Sequence, residues 1–345
     1  MKPGVRWGIL GPGAIARSFA TAIDALEGHQ ITATGSRNPD RAVAFNAERN
    51  YGAEVGSYEQ VASSDSVDAV YVATPHPGHL EHASLALRQG KAVLCEKPLT
   101  VNASEARAMC DLARENGVLL MEAMWSRFLP ATRRVEGWLA TGAIGEPRKL
   151  AASFGFRAPF DPKSRLYDPE LAGGSLLDIG CYTLSLAALV FGQALIGAEG
   201  PEIDVTAELA PTGVDQHCNI VLRFPSGAEA NLQCSIDRQT DHTAAIQGTE
   251  GGIALDEFWR ARRAVLYRNS IRAATSEFPF LANGYEYQAM EVERRLREGA
   301  IESPLLPHAE SIALMERMDE IRRRIGVQYP FESTIGVTEK VGDPN

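Results

Sequence analysis

Cysteine and long apolar runs are scarce in this sequence. Its 345 residues include five cysteines, none in a Cys-x-x-Cys pair, which fits free thiols in a reducing compartment better than a disulfide framework. No run of 18 consecutive apolar residues occurs, and the N-terminus, broken by glycine and proline, does not resemble a secretory signal. We therefore expect a cytoplasmic protein with no membrane partner.

Basic residues are also fewer than acidic ones. The 34 Lys and Arg residues are outnumbered by 44 Asp and Glu residues, which gives a formal net charge of −10. Nucleic acids and anionic membranes attract basic surfaces, so we expect neither as a partner. The hydrophobic fraction of 45% is that of a globular protein, and the length suggests two domains.

The first third of the chain alternates short apolar segments with segments of helical periodicity. The expected strands cover residues 5–10, 30–36, 67–74, 92–95 and 117–122. The expected helices between them cover residues 17–26, 39–50, 79–88 and 104–116. This alternation predicts an α/β fold in which residues 1–123 form a Rossmann domain with a doubly wound parallel sheet.

The turn after the first expected strand has the composition of a dinucleotide-binding loop. Its sequence, GPGAIA, is a GxGxxA pattern between a strand and a helix. Gly11 permits the turn, Gly13 lets backbone N–H groups approach a pyrophosphate, and Ala16 lets the helix pack closely on the strand. We therefore assign Gly11, Gly13, Ala14, Ile15 and Ala16 to cofactor binding.

The end of the second expected strand indicates which nicotinamide cofactor is used. NAD sites usually carry an acid there, whereas this chain has Ser36 and Arg37. Because a guanidinium binds phosphate through charge-assisted hydrogen bonds, we predict NADP over NAD. The alternative is that Arg37 is a solvated loop residue and that Asp40 supplies the acid.

A carboxylate, an ammonium and a proline directly follow the strand at 92–95. Ligands of such sheets bind beyond the carboxyl ends of the strands, so Glu96 and Lys97 are expected to face the cofactor. Pro98 restricts the backbone and would aim Lys97 at a substrate hydroxyl. Near an oxidised nicotinamide the pKa of Lys97 should fall. The alternative is a surface lysine before a turn.

Thr74, Pro75, His76 and His79 follow another expected strand. Together with His82, the histidines have an HxxHxxH spacing that suggests a metal site. Proline and glycine separate His76 from the helix, and no HExxH pattern occurs, so we expect no metal. We expect this loop to line the nicotinamide ribose instead.

From about residue 124 the pattern changes to a period of two. Residues 148–157, 215–224 and 227–237 alternate apolar and polar side chains. They predict a second, α+β domain over residues 124–330 with a large, mostly antiparallel open sheet, followed by a tail at 331–345. An amphipathic helix at 307–326 is expected to pack against this domain.

The apolar segment at 174–191 predicts a helix with two polar side chains on one face. Asp178 and Tyr182 lie one turn apart, and burying them without a purpose would cost desolvation energy. We interpret them as a catalytic pair that faces Lys97. Tyr182 would take the proton of a hydroxyl, its pKa of about 10 lowered by nearby positive charge, and Asp178 would position the substrate. The alternative is ordinary core packing.

In combination these motifs resemble the glucose–fructose oxidoreductase, inositol dehydrogenase and MocA (Gfo/Idh/MocA) superfamily. The resemblance runs from about residue 5 to about residue 330 and is greatest for the branch of dihydrodiol dehydrogenases and NADP-dependent D-xylose dehydrogenases. The motifs that carry it are TP at 74–75, EKP at 96–98, EAMWSRF at 122–128, GGSLLDIGCY at 173–182 and GTEGG at 248–252.

The resemblance implies further site residues and an activity. Trp125, Phe154 and Trp259 match positions that line the substrate pocket, whereas Phe280 is explained equally well by core packing. The implied reaction is hydride transfer between NADP and a CH–OH carbon of a small cyclic polyol, either an aldose such as D-xylose or D-glucose at C1 or a trans-dihydrodiol. Sheet-to-sheet pairing in the family implies a homodimer or homotetramer.

Two other functions remain open on this scaffold. One is a non-catalytic regulator that binds NADP, against which the presence of both Lys97 and Tyr182 argues. The other is a redox-assisted glycosidase that holds its nicotinamide tightly.

Overall fold

The computed structural model describes residues 4–197 and 200–332. Two sheets, of six and eight strands, organise the chain. From residue 333 on, the expected tail lies outside the described residues.

The first sheet is parallel, with the strand order β3-β2-β1-β4-β5-β6. Its strands are β1 Arg6–Leu10, β2 Gln30–Gly35, β3 Glu54–Gly56, β4 Ala69–Val72, β5 Ala92–Glu96 and β6 Leu120–Ala123. Its helices are α1 Ala14–Asp24, α2 Pro39–Glu48, α3 Tyr58–Ser63, α4 His79–Arg88 and α5 Ala103–Asn116. The order reverses at β1 and β4, which leaves a crevice beyond the carboxyl ends of these strands.

The strands of this sheet are apolar because both faces are covered by helices. Every residue of β4, β5 and β6 is buried. The strand expected at 117–122 begins three residues late, since Gly117 closes α5 in a left-handed conformation with a φ of 62°. The short elements β3 and α3 were not predicted.

The second sheet has the strand order β14-β13-β12-β11-β7-β10-β9-β8 and is antiparallel except between β7 and β10. Its strands are β7 Pro147–Gly155, β8 Glu202–Leu209, β9 Asp215–Arg223, β10 Glu229–Ser235, β11 Ala244–Gly248, β12 Gly251–Leu255, β13 Arg263–Arg268 and β14 Ile271–Glu277. The remaining helices are α6 Pro130–Ala140, α7 Cys181–Phe191, α8 Gln193–Ile196, α9 Glu286–Glu298 and α10 His308–Ile325.

The last two helices pack against the first domain, and the final helix also packs against the second. Helix α9 packs on α1, and α10 packs on both α5 and α7. The amphipathic helix expected at 307–326 is therefore confirmed as α10, and it packs against both parts of the chain. The prediction of a parallel Rossmann sheet followed by a mostly antiparallel sheet is also confirmed.

The apolar segment expected to form one helix is divided. A π-helical turn at Leu176–Gly180 precedes α7, so Asp178 and Tyr182 belong to different helical elements. Residues Pro169–Phe191 are long and apolar enough to cross a membrane, yet 89% of their most apolar window is buried inside the protein. The segment is thus part of the buried core of the protein.

Candidate active site

The glycine turn fits the pyrophosphate of a dinucleotide. Gly11 has a φ of 88°, and a Cβ on it would lie 2.9 Å from the carbonyl oxygen of Ala73. A Cβ on Gly13 would meet nothing within 4 Å, so open space lies above this residue. Helix α1 begins at Ala14 with no side-chain cap, and its first N–H groups have no intrahelical acceptor. An anion could satisfy them.

Ser36 and Arg37 directly follow β2, at the edge of the sheet that carries the glycine turn. Gly35 at the end of β2 pairs with Leu10 at the end of β1. The hydroxyl of Ser36 accepts a hydrogen bond from the backbone N–H of Asn38 at 3.2 Å. Arg37 is exposed and makes no ion pair with any described residue. Its guanidinium could therefore bind a phosphate.

Glu96 lies beneath the turn instead of facing the cofactor. Its carboxylate accepts hydrogen bonds from the Tyr71 hydroxyl and, at 3.2 Å, from the backbone N–H of Lys97. Only 6% of Glu96 is exposed, and this burial raises its pKa. The predicted cofactor contact of Glu96 is thus corrected, because hydrogen bonding draws its side chain into the domain. The Lys97–Pro98 peptide bond is cis.

Lys97 meets Asp178 across the two domains. Its Nζ donates to the backbone oxygen of Asp178 at 2.5 Å and lies 3.3 Å from Oδ1. Arg165 Nη1 donates to the same Oδ1 at 2.9 Å. Burial opposes ionisation of Asp178, yet the two cations hold its pKa well below the usual range.

The pKa of Lys97 is raised in the protein alone. Burial of its ammonium acts to lower the pKa, but the Asp178 carboxylate outweighs that effect. The expected fall applies to the complex with an oxidised nicotinamide, and the ion pair with Asp178 acts in the opposite direction. Lys97 is therefore firmly protonated before the coenzyme binds.

Tyr182 lies beside Lys97, but the two polar groups do not touch. Lys97 Nζ is 5.1 Å from the centroid of the Tyr182 ring. The Tyr182 hydroxyl accepts a hydrogen bond from Trp125 Nε1 at 2.8 Å. Burial raises the pKa of Tyr182 well above its ordinary value, contrary to the expected decrease. Asp178 engages the ammonium, so among the described residues the Trp125 indole N–H is the group placed to stabilise a phenolate by a hydrogen bond.

Aromatic rings form a wall next to Tyr182. Phe154 and Trp259 stack with centroids 4.7 Å apart, and the Phe154 and Tyr182 rings are 5.6 Å apart. Trp125 packs edge-on against Trp259 at 5.9 Å and stacks on Tyr285 at 4.4 Å. The structure therefore groups the predicted Trp125, Phe154 and Trp259.

Phe280 lies at the outer edge of this wall. The guanidinium of Arg262 sits 4.6 Å from its ring centroid. A Cβ on Gly284 would lie 2.7 Å from Trp125 and 3.1 Å from Phe280, so both rings pack against the same glycine. Phe280 thus contributes to the packing around Trp125.

His79 is a structural residue. It is completely buried, and its ring nitrogens lie 3.0 Å from the carbonyl oxygen of Pro98 and 2.9 Å from that of Thr74. Burial lowers its pKa to about 4. The neutral ring has one N–H, so it can donate to only one of these two oxygens. The predicted contact with the nicotinamide ribose is corrected, because the ring is completely buried between the ends of β4 and β5.

The other two histidines point to different places. His76 lies near Lys97 and Asp178, and burial lowers its pKa to about 3. His82 Nδ1 is 2.9 Å from the hydroxyl of Thr74. Pro75, which lies between Thr74 and His76 in the sequence, is exposed. Within residues 4–197 and 200–332, no group of three or more His, Cys, Asp or Glu side chains could hold a metal ion.

Three residues of the site were missed by the sequence analysis. Arg165 and Tyr285 lie in irregular segments without periodicity. Glu122 accepts hydrogen bonds from the backbone N–H of Leu99 at 3.1 Å and from the hydroxyl of Ser311 at 2.6 Å, so it ties the Lys97 turn to α10. A carboxylate near the end of an apolar strand was the one available signal for Glu122.

The fold and the site define a class of protein. A Rossmann sheet with an open glycine turn is what a nicotinamide dinucleotide requires, and a lysine, an aspartate and a tyrosine from the two domains lie close together in the same protein. Residues 5–124 match an oxidoreductase family with an NAD-binding Rossmann fold, and residues 132–254 match the Gfo/Idh/MocA C-terminal domain.

Relatives cover nearly the whole chain. The chain is 38% identical over 339 residues to trans-1,2-dihydrobenzene-1,2-diol dehydrogenase of Mus musculus, covering 94% of this chain and 98% of that protein. The Homo sapiens protein of the same name is 36% identical over 339 residues, with the same coverage. The chain therefore belongs to the Gfo/Idh/MocA oxidoreductase family.

Solved structures show the same fold. A 3-ketoreductase from Actinomadura kijaniata, in complex with NADP and TDP-benzene, is 28% identical with a TM-score of 0.78 and covers 93% of this chain and 97% of its own. Levoglucosan dehydrogenase has a TM-score of 0.83 at 19% identity, covers 95% of this chain and 100% of its own, and shows the fold alone. The predictions of the family, the two-sheet fold and an oxidoreductase that uses a nicotinamide cofactor are confirmed.

Proposed function

We propose that this protein is an NADP-dependent dehydrogenase that oxidises a CH–OH group of a small cyclic diol or polyol. The single observation behind the proposal is the convergence of Lys97, from the Rossmann domain, and Tyr182, from the second domain, beside one carboxylate and an aromatic wall. When bound, the coenzyme supplies the hydride acceptor. The residues of the chain then have to orient the alcohol and remove its proton.

Tyr182 is the proposed acid and base of the reaction. Tyr182 acts as a base in its phenolate form, which the Trp125 N–H at 2.8 Å stabilises; the phenolate oxygen takes the proton of the substrate hydroxyl and becomes the neutral phenol. Lys97 orients the substrate hydroxyl, and the positive charge of its ammonium favours deprotonation. Asp178 fixes the ammonium in place. In the direction of reduction, the raised pKa of Tyr182 keeps its hydroxyl protonated, so a proton is available for the oxygen that receives it.

We propose that the substrate ring binds against the aromatic wall. Phe154, Trp259 and Trp125 present flat apolar faces, against which the apolar face of a cyclic diol or pyranose can stack. The similarity to dihydrodiol dehydrogenases, at 36–38% identity, makes trans-dihydrodiols the first proposed substrate class. Aldoses oxidised at C1 are the second. A panel containing both classes ranks them directly.

The cofactor preference is proposed from Arg37. An exposed guanidinium at the end of β2 suits the 2′-phosphate of NADP, and no acid occupies that strand end. The related 3-ketoreductase was solved with NADP, which agrees with this assignment.

We further infer a cytoplasmic homodimer or homotetramer. The face of the second sheet opposite its helices has small uncharged residues near its centre, among them Ala151, Ala245 and Ala254, which would allow close approach of a second sheet. All five cysteines are free and buried, as in a reducing compartment. Sedimentation velocity measures the oligomeric state.

Tyr182→Phe tests the proposed mechanism. The variant should lose about 10²- to 10⁴-fold in kcat for NADP reduction on the panel, because it has no group to take the proton. Its affinity for NADP should stay the same. Tyr51→Phe removes a phenol bonded to Asp24, away from the site, and serves as the matched control.

Other outcomes would favour other functions. Normal turnover by Tyr182→Phe would remove this residue from its proposed role. Tight NADP binding by the wild type with no turnover on any diol or polyol would favour a non-catalytic regulator. Cofactor that co-purifies and resists dialysis would point to a redox-assisted glycosidase.

A further inference from the structure

Arg165 is a second cation at the site, and the proposed chemistry does not use it. It belongs to the segment 156–175, which connects β7 to the π-helical turn. Arg165 Nη1 and Lys97 Nζ lie 2.9 and 3.3 Å from the same Asp178 oxygen, so the two nitrogens are no more than about 6 Å apart. A small ring whose hydroxyl meets Lys97 therefore comes within reach of Arg165.

The position of Arg165 is fixed although its side chain is exposed. The carbonyl oxygen of the next residue, Leu166, accepts a hydrogen bond from Gly174 at 2.9 Å. Tyr167 is 1% exposed, and its hydroxyl lies 3.3 Å from the carbonyl oxygen of Ile236. These anchors hold the backbone of the segment, and the hydrogen bond to Asp178 holds the end of the Arg165 side chain at the site.

The guanidinium has unused donors. The Arg165 side chain is 60% exposed, against 12% for Lys97 and 7% for Asp178. Its Nε and Nη2 donate to no described residue. A guanidinium carries N–H donors in one plane and has no acceptor, so a ligand that meets it must bring acceptor oxygens.

The local charge balance favours a negative ligand. Lys97 and Arg165 share the buried Asp178 carboxylate as a counterion. The other nearby carboxylate, Glu96, lies inside the domain, where it accepts hydrogen bonds from Tyr71 and from the backbone of Lys97. The two carboxylates are therefore buried, whereas the Arg165 guanidinium is exposed, and a bound oxidised nicotinamide would add a further positive charge.

We propose that Arg165 recognises a carboxylate on the substrate ring, so that the preferred substrates are cyclic polyols bearing a carboxylate, of which the uronic acids are the simplest class. The proposal rests on the dehydrogenase function given above. In a pyranose uronate the anomeric hydroxyl and the carboxylate are carried by the two carbons that flank the ring oxygen. That spacing matches the reach between Lys97 and Arg165, and a planar guanidinium pairs with a carboxylate through two parallel hydrogen bonds.

The test compares matched acid and neutral substrates. Reduction of NADP is followed with D-glucuronate against D-glucose and with D-galacturonate against D-galactose. The wild-type kcat/KM should be roughly 10- to 100-fold higher for each acid, the range of a charge-assisted hydrogen-bond pair. Arg165→Gln should bring the acid-to-neutral ratio close to one, and Arg165→Lys should keep part of it. Lys163→Gln, which removes the same charge from the same segment, should leave the ratio unchanged.

Binding is measured separately from turnover. Quenching of tryptophan fluorescence in the complex with NADPH, which cannot accept a hydride, reports D-glucuronate binding without chemistry. A wild-type ratio near one, or a ratio that persists in Arg165→Gln, would overturn the proposal while leaving the dehydrogenase function intact. If no sugar or diol is oxidised but D-glucuronate binds and Arg165→Gln weakens it, the dehydrogenase function fails and carboxylate recognition stands. Absence of both turnover and binding overturns both.

Discussion

Replacing Glu122 with glutamine should stabilise the protein at high pH and have little effect at low pH. Burial raises the pKa of Glu122 to about 7 from the usual 4.5. Folding therefore takes up a proton between these pH values. The contribution of Glu122 to stability is most favourable below pH 4.5 and is lost as the pH rises through 7.

The size of the effect follows from the two pKa values. The pKa of Glu122 differs by about 2.5 units between the folded and unfolded states, and each unit corresponds to about 1.36 kcal/mol. The charged, buried carboxylate therefore destabilises the folded protein by about 3 kcal/mol at pH 8. Glutamine keeps both hydrogen bonds, since its oxygen can accept from Leu99 N–H and its amide can donate to Ser311. The variant thus removes the charge and retains the tie to the Lys97 turn.

The assay is urea denaturation at pH 5 and pH 8. Glu122→Gln should raise the free energy of unfolding by up to about 3 kcal/mol at pH 8, and by much less at pH 5, where the wild-type carboxyl is already protonated. Glu115→Gln, an exposed glutamate on α5, should show no such difference. An equal change at both pH values for Glu122→Gln would refute the reasoning, because the effect would then not come from ionisation.

Two further variants test the site. Trp125→Phe keeps a ring against Tyr285 but removes the N–H that donates a hydrogen bond to the Tyr182 hydroxyl. The kcat/KM for alcohol oxidation should therefore fall by roughly 10-fold at neutral pH, and its pH profile should move to higher pH. An unchanged profile would contradict the role of this hydrogen bond. Arg37→Ala should raise the KM for NADP by roughly 10- to 100-fold and leave the KM for NAD unchanged, whereas Arg41→Ala, an exposed arginine on α2, should affect neither. If the KM for NADP does not rise, the 2′-phosphate assignment is wrong.

The corrected predictions share a physical cause. Glu96 and His79 were placed at the cofactor because they follow the ends of parallel strands. Strand position determines where a residue starts, but the hydrogen-bond partners of a buried polar group determine where its side chain points. Tyr71, Pro98 and Thr74 supply those partners, and each is brought close only by the folded chain.

Much of this protein follows from local sequence. Alternating strands and helices and a glycine turn after the first strand predict the Rossmann domain. A period of two predicts the second sheet, because side chains alternate across a strand. The EKP motif and the Asp178–Tyr182 spacing also identify the residues that meet at the site, since they lie at strand ends or interrupt an apolar helix.

Tertiary structure alone decided how the site is charged. The pKa of Lys97 is raised, because a π-helical turn presents Asp178 to it, and Arg165 joins them from a segment with no sequence pattern. The pKa of Tyr182 is raised because an aromatic wall buries it. Electrostatic interactions depend on distance and burial in three dimensions. The sequence predicts that Lys97 and Asp178, 81 positions apart along the chain, lie at one site, but not that they form an ion pair that sets the charge of both.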